Sequence, residues 1–144
     1  MSHHLEYVHG AGDDPRYNMP YTPAIKVHSG KLVYLAGVTA APIYHSHPHV
    51  PAEFDGIPTD PGAQAELTMR NLRNVLRAAG GDLDDVVELT RFIVDLDKNQ
   101  DAINAVMARH LGTHRPASTS VEVVRLATDP RLVLELAAVA AVPA

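Results

Sequence analysis

The densest run of side chains able to do chemistry is Tyr44-His45-Ser46-His47-Pro48-His49. Neutral imidazoles two residues apart point to one side of an extended segment, which is what a shared metal ion asks of its ligands. Glu53 and Asp55 lie close enough in sequence to approach, yet no carboxylate or thiolate is fixed beside the histidines by spacing. A polar loop with solvated histidines is therefore the favoured reading, and no metal site is expected. Among the other histidines, His3, His4 and His9 are expected in solvent near the terminus, and His28 at a strand end. His110 and His114 flank a helix C-terminus, where a partly charged imidazole suits the helix dipole. Arg91 sits mid-strand in an apolar run, which is costly unless the guanidinium is paired. Its expected partner is Glu88, Asp95 or an acid of a neighbouring copy, with substrate binding as the alternative.

Other chemistries are excluded by what the chain lacks. It has no cysteine, hence no disulfide framework, no thiolate zinc site and no cysteine nucleophile. There is no Gly-rich phosphate loop, no G-x-S-x-G and no His-Glu-x-x-His. Twelve Lys and Arg against 17 Asp and Glu leave a net charge of −5, without the basic stripe that nucleic-acid backbones demand. No stretch reads as a signal peptide or a bilayer span. The expected location is the cytoplasm, with neither nucleic acid nor membrane as a partner. At 144 residues, 46% of them hydrophobic, the chain reads as one domain over 1–144. Its irregular lead-in covers 1–19, and a long Pro- and His-rich loop covers 40–60.

The elements that must position these residues follow from local pattern. Ala24–Ser29 and Leu32–Gly37 are short β-prone runs around Gly30-Lys31 and read as a hairpin. Five prolines in residues 40–61 exclude helix and ladder there. Asp60-Pro61 opens an amphipathic helix, which Gly80-Gly81 closes. Val86–Leu96 is β-branched, with Thr90, Phe92 and Val94 on one face and Leu89, Arg91 and Ile93 on the other. A second helix runs over about 98–111. Strands are expected over Ser120–Leu126 and Arg131–Val142, the latter apolar on both faces and hence central. The order is ββαβαββ, an α+β fold with one mixed sheet and two helices on one of its faces. The other sheet face, expected to carry Leu89 and Ile93, would be a bare apolar surface that a monomer does not tolerate. A homo-oligomer follows, with small-molecule sites at its seams.

The segment Arg115-Pro-Ala-Ser-Thr-Ser-Val-Glu-Val-Val-Arg-Leu126, followed by Leu134-Glu-Leu-Ala-Ala-Val-Ala140, resembles the C-terminal signature of the RidA (YjgF, endoribonuclease L-PSP) family. Pro20-Tyr21 and Leu35-Ala-Gly37 resemble that family's opening hairpin. Asn71 to Gly80, with Val86-Val87 and Phe92–Leu96, resembles its first helix and following strand. The likeness covers about residues 20–142. It implies a chorismate-mutase-like fold and a homotrimeric barrel with clefts between subunits. It also implies hydrolysis of reactive enamines and imines such as 2-aminoacrylate, with neither metal nor cofactor.

Carried over residue by residue, the resemblance places Tyr21 at the family's site tyrosine and Asn104 at its site asparagine. Glu135 falls at the glutamate that positions water or relays protons, making these three the candidate catalytic residues. Ser118 stands where the family has the arginine that clamps a substrate carboxylate. Ser120 stands at the usual cysteine, and Ala36 replaces the serine before the hairpin glycine. A hydroxyl cannot replace a guanidinium on a carboxylate, and losing such a buried pair costs on the order of 2–5 kcal/mol. The expected function is a divergent hydrolase of an enamine, imine or related unstable small metabolite, and not a 2-aminoacrylate deaminase. The alternative is a non-catalytic ligand-binding or regulatory trimer with the same cleft; ribonuclease activity is disfavoured by charge. Arg91 is the candidate substitute cation, and the 40–60 loop is expected to act as a lid bringing His45 and His47 to the substrate.

Overall fold

A computed structural model describes residues 4–14 and 16–144; His3, expected in solvent, lies outside them. Six strands and two helices follow in order: β1 Leu5–Val8, β2 Ala24–Val27, β3 Lys31–Tyr34, α1 Pro61–Ala78, β4 Val86–Val94, α2 Leu96–Leu111, β5 Ala117–Val123 and β6 Leu134–Val142. A four-stranded mixed sheet has the order β3-β6-β4-β5, and β1 and β2 form a separate antiparallel pair. Helix α1 starts as its sequence dictates. Asp60 Oδ2 accepts the Ala63 N–H at 2.8 Å, and Pro61 occupies the first turn, where its missing N–H costs nothing. The helix closes by a Schellman pattern, with Gly81 N–H on Leu76 O and Gly80 N–H on Arg77 O.

Between β4 and β5, α2 makes the crossover that a parallel pair needs. Its side chains and those of α1 cover one sheet face. Met69, Leu72, Leu76, Ile103 and Val106 interlock there with Leu89 and Ile93 of β4 and with Leu134, Leu136, Ala138 and Ala140 of β6. Glu66 joins the two helices through Arg109 at 3.0 Å and His110 at 2.9 Å.

Four expectations are corrected. The lead-in is not irregular throughout, because Leu5–Val8 pairs with Ala24–Val27. The Ala24–Gly37 hairpin does not form: β2 pairs with β1, and β3 pairs with β6. Gly30 explains this. At φ 104° it lies so close to the Val142 carbonyl that any Cβ would collide with it, and the chain is thereby turned onto β6. The faces of β4 are exchanged: Leu89 and Ile93 are buried under the helices, and Phe92 and Val94 lie on the other side. Alternation separated the two sets correctly, but both are apolar, so pattern alone could not say which one meets the helices. Finally, β5 begins at Ala117 rather than Ser120, which brings Ser118 into the sheet.

The 40–60 segment is a packed excursion containing a 3-10 turn at Pro51–Phe54. Phe54 and Ile57 bury with Ala40, Ala41, Leu126 and Leu132 in a second small core. Gln64 of α1, fully buried, holds it in place. Its amide donates to Pro58 O and Arg131 O, and its carbonyl accepts Val133 N–H.

Candidate functional site

Parallel pairing of β4 with β5 sets Leu89 beside Ser118 and Arg91 beside Ser120. These four side chains point to the helix side of the sheet. Opposite them, one face of α2 presents Gln100, Asn104, Met107, Ala108 and Leu111 at helical spacing. Tyr21 closes one end, because Thr22 is pinned to the start of β5: its N–H donates to Pro116 O and its hydroxyl to Arg115 O. The result is a cavity of about 570 Å³.

Arg91 dominates its electrostatics. Its Nε donates to Ser120 Oγ at 2.9 Å and its Nη1 to Asn104 Oδ1 at 2.6 Å, with Met107 Sδ at 3.8 Å. Burial lowers its pKa from the ordinary guanidinium range, though not enough to remove the charge. Ion pairing with Glu88 or Asp95 does not occur, and no carboxylate among the described residues lies within ion-pair distance of it. Asp95 instead turns at φ 50° to begin α2, and Glu122, on the cavity side of β5, accepts the Leu96 N–H. Arg91 Nη2 makes no hydrogen bond among the described residues and is open to the cavity. A half-buried guanidinium held by two neutral acceptors is a ready partner for an anion.

The structure therefore brings Tyr21, Arg91, Asn104, Ser118 and Ser120 to one cavity. It does not bring Glu135 there. Glu135 pairs with Phe92 across β6 and β4, on the opposite face, where its carboxyl would touch any Cβ placed on Gly37 at 2.9 Å. A Cβ at position 37 would push the end of the Glu135 side chain aside. Burial raises the Glu135 pKa. Ala36, next to Gly37, belongs to this second group. Around it the face is apolar and partly uncovered, with Tyr34 76%, Leu32 53% and Val121 38% exposed.

His45 and His47 do not line the cavity either. Their segment packs over the second core, so within one chain it is not a lid. Nor is His114 a charged cap. It is buried, its Nε2 donates to Val86 O at 2.7 Å, and its Nδ1 accepts the Tyr7 hydroxyl at 2.6 Å. Burial lowers its pKa. His4, expected in solvent, contacts Ala141 O and lies 3.8 Å from Asp85.

The sequence reading missed Asn18, Leu89, Gln100, Met107, Leu111 and Arg115 as cavity residues. Stepping along α2 by four from Asn104 finds Gln100 and Ala108, so part of that wall was recoverable. Arg115 caps the carbonyls of Gly112 and His114 at the C-terminus of α2.

The sequence model of the endoribonuclease L-PSP family matches residues 12–142. The chain is 33% identical over 125 residues to protein DfrA of Myxococcus xanthus, covering 87% of this chain and 88% of that one. It is 31% identical over 111 residues to TdcF of Escherichia coli, provisionally named a reactive intermediate deaminase, covering 74% and 85%. The crystal structure of YyfB, a Rid-family protein of Yersinia pestis, superposes with a TM-score of 0.75 at 26% identity, covering 96% and 99%. No helix among the described residues is long and apolar enough to cross a membrane.

Proposed function

The chain belongs to the endoribonuclease L-PSP (Rid) family, and from that premise we propose that it is a divergent hydrolase of an enamine, imine or related unstable small metabolite. The observation that carries this is Arg91: a half-buried cation with a free Nη2 in a cavity beside Tyr21, Asn104, Ser118 and Ser120. The family's clamping arginine is absent at Ser118, yet a guanidinium is supplied from the adjacent strand, by the residue opposite Ser120, one strand over and two residues along from Ser118, roughly 8 Å between backbones. A substrate anion held by Arg91 sits displaced from where Ser118 would have placed it. The preferred substrate is therefore not 2-aminoacrylate but a compound whose acid and C–N bond are spaced differently.

In the proposed assembly three copies bury their uncovered sheet faces against one another, and Glu135 of one copy completes the cavity of the next. Hydrolysis of an enamine needs protonation at carbon, then attack of water on the iminium. A carboxyl group whose pKa is raised by burial can hold and pass that proton. Arg91 would anchor the anion, and Asn104 and the two serines would orient the nitrogen and the water. The protein is proposed to act in the cytoplasm, on a small molecule and without a cofactor.

A second reading is a ligand-binding trimer without catalysis. It is favoured by the cavity lining of a single chain, which contains no Asp, Glu or His. A coupled assay separates the two. Imines are generated by amino-acid or amine oxidases, and their decay is compared with and without protein. Faster decay of longer imino acids than of 2-aminoacrylate supports the divergent hydrolase. Turnover of 2-aminoacrylate matching an arginine-bearing relative refutes the specificity, and no acceleration of any imine supports the binding protein.

A further inference from the structure

His45, His47 and His49 alternate in sequence, and in an extended chain their side chains would stand roughly 7 Å apart. The segment does not extend: Pro42, Pro48 and Pro51 lack the N–H a ladder would need, and the chain bends over these residues. The three rings meet, with centroids 4.7, 5.0 and 5.2 Å apart. One donor nitrogen from each lies within 4.8 Å of the others. Ligands of one tetrahedral zinc ion stand about 3.4 Å apart, given Zn–N bonds of 2.0–2.1 Å. Small rotations of the rings cover the difference.

The surroundings do more than bring the rings together. His45 Nδ1 contacts Pro42 O at 2.8 Å. A carbonyl can only accept, so that nitrogen carries the hydrogen and Nε2 keeps its lone pair for an ion. Metal-bound histidines are held in this manner. Phe54, 1% exposed, supports His45 and His49 edge-on at 5.1 and 5.6 Å. Ser46, between the first two histidines, donates its N–H to Glu53 Oε1 at 2.9 Å, which fixes the backbone that carries the rings. The segment is anchored from below, as Arg131 binds Asp55 Oδ1 and Pro51 O, each at 2.9 Å. His47 and His49 are exposed, so an ion has a path in and a position for water.

We propose that His45, His47 and His49 form a site for one divalent transition ion of the zinc class per chain, with water as the remaining ligand. Three imidazoles without a thiolate select zinc, copper or nickel over magnesium or calcium. The site is separate from the cavity, and its function, on this proposal, is to hold the exposed outer part of the 40–60 excursion folded on itself.

Untagged, chelator-stripped protein titrated with zinc chloride by calorimetry tests this. One ion per chain is expected. His47→Ala and His49→Ala should each weaken binding by no less than the roughly 10- to 100-fold that loss of a supporting group costs, while His9→Ala/His28→Ala leaves it unchanged. Long-range proton–nitrogen NMR of the unaltered protein keeps the test independent of whether variants fold. Zinc should perturb three ring systems, with Nδ1 of His45 protonated and Nε2 metal-bound. Absence of stoichiometric binding, undiminished affinity in His47→Ala, or perturbation centred on other histidines overturns the proposal.

Discussion

On one face of the four-stranded sheet, Arg91, Ser118 and Ser120 look toward α2 across a cavity; on the other, Glu135 sits against Gly37 beside the strand carrying Phe92. The first face holds a cation and neutral hydrogen-bonding groups, the second an acid whose pKa burial raises amid exposed apolar side chains. A sheet one strand thick keeps the guanidinium and the carboxyl of a single chain from closing on each other. Were they on one face, the ion pair would consume the charge that each needs for a substrate. On the proposed function, separation of this kind would let one chain carry both groups without pairing them with each other.

The largest expected effect comes from removing the proposed proton carrier. Glu135→Gln should lower kcat in the imine assay by roughly 10²- to 10⁴-fold, while retained ligand binding would show the cation face intact. The same change should not destabilise the fold at neutral pH. Burial raises the folded pKa of Glu135, so the group favours the native state only below its unfolded pKa, and that contribution is lost as pH rises through the folded value. Melting at pH 7 should thus be unchanged or higher in the variant.

Arg91→Ala should lower kcat/KM for an anionic substrate by about 2–4 kcal/mol, roughly 30- to 1,000-fold, with a smaller change for a carboxylate-free imine. Equal losses for both would show that Arg91 only shapes the wall. Between the faces stands the proposed assembly. Val121→Glu, buried against a second copy on that proposal, should shift sedimentation toward the monomer and lower activity in parallel. A variant that stays assembled and active would break the link between the two faces.

Smaller effects belong to the scaffold. Asp60→Ala removes the acceptor for Ala63 N–H and should cost about 1 kcal/mol by denaturation, without altering substrate preference. His114 has a folded pKa depressed by burial. Its contribution is fully present above the unfolded value near 6.5 and is lost as pH falls below it, because the unfolded chain takes the proton first. The drop in melting temperature between pH 7 and 5.5 should be smaller in His114→Asn than in the unaltered protein.

Much of the fold was legible because its signals are local. Asp60-Pro61 and Gly80-Gly81 bound α1, and apolar residues on both faces of β6 mark a central strand. Tyr21, Asn104, Ser118 and Ser120 were placed by resemblance, and the structure sets them on one cavity. What was not legible depends on distant partners. Either face of β4 could meet the helices on apolarity alone. The Arg91 contacts depend on a β4–β5 register that no local pattern specifies. His114 looked like a helix-end cation because nothing near it in sequence announces Tyr7 or the Val86 carbonyl.

Gln64 has a consequence for how such a chain can change. One buried amide fastens the long excursion to α1 and to the entry of β6 through three hydrogen bonds, and none of them touches the cavity. Segments inserted or shortened between Ala41 and Pro58 would leave that joint in place. The excursion is therefore a part that can be lengthened, rewritten or grafted onto a related chain bearing the same amide, and new chemistry could be gained there without any revision of the cleft.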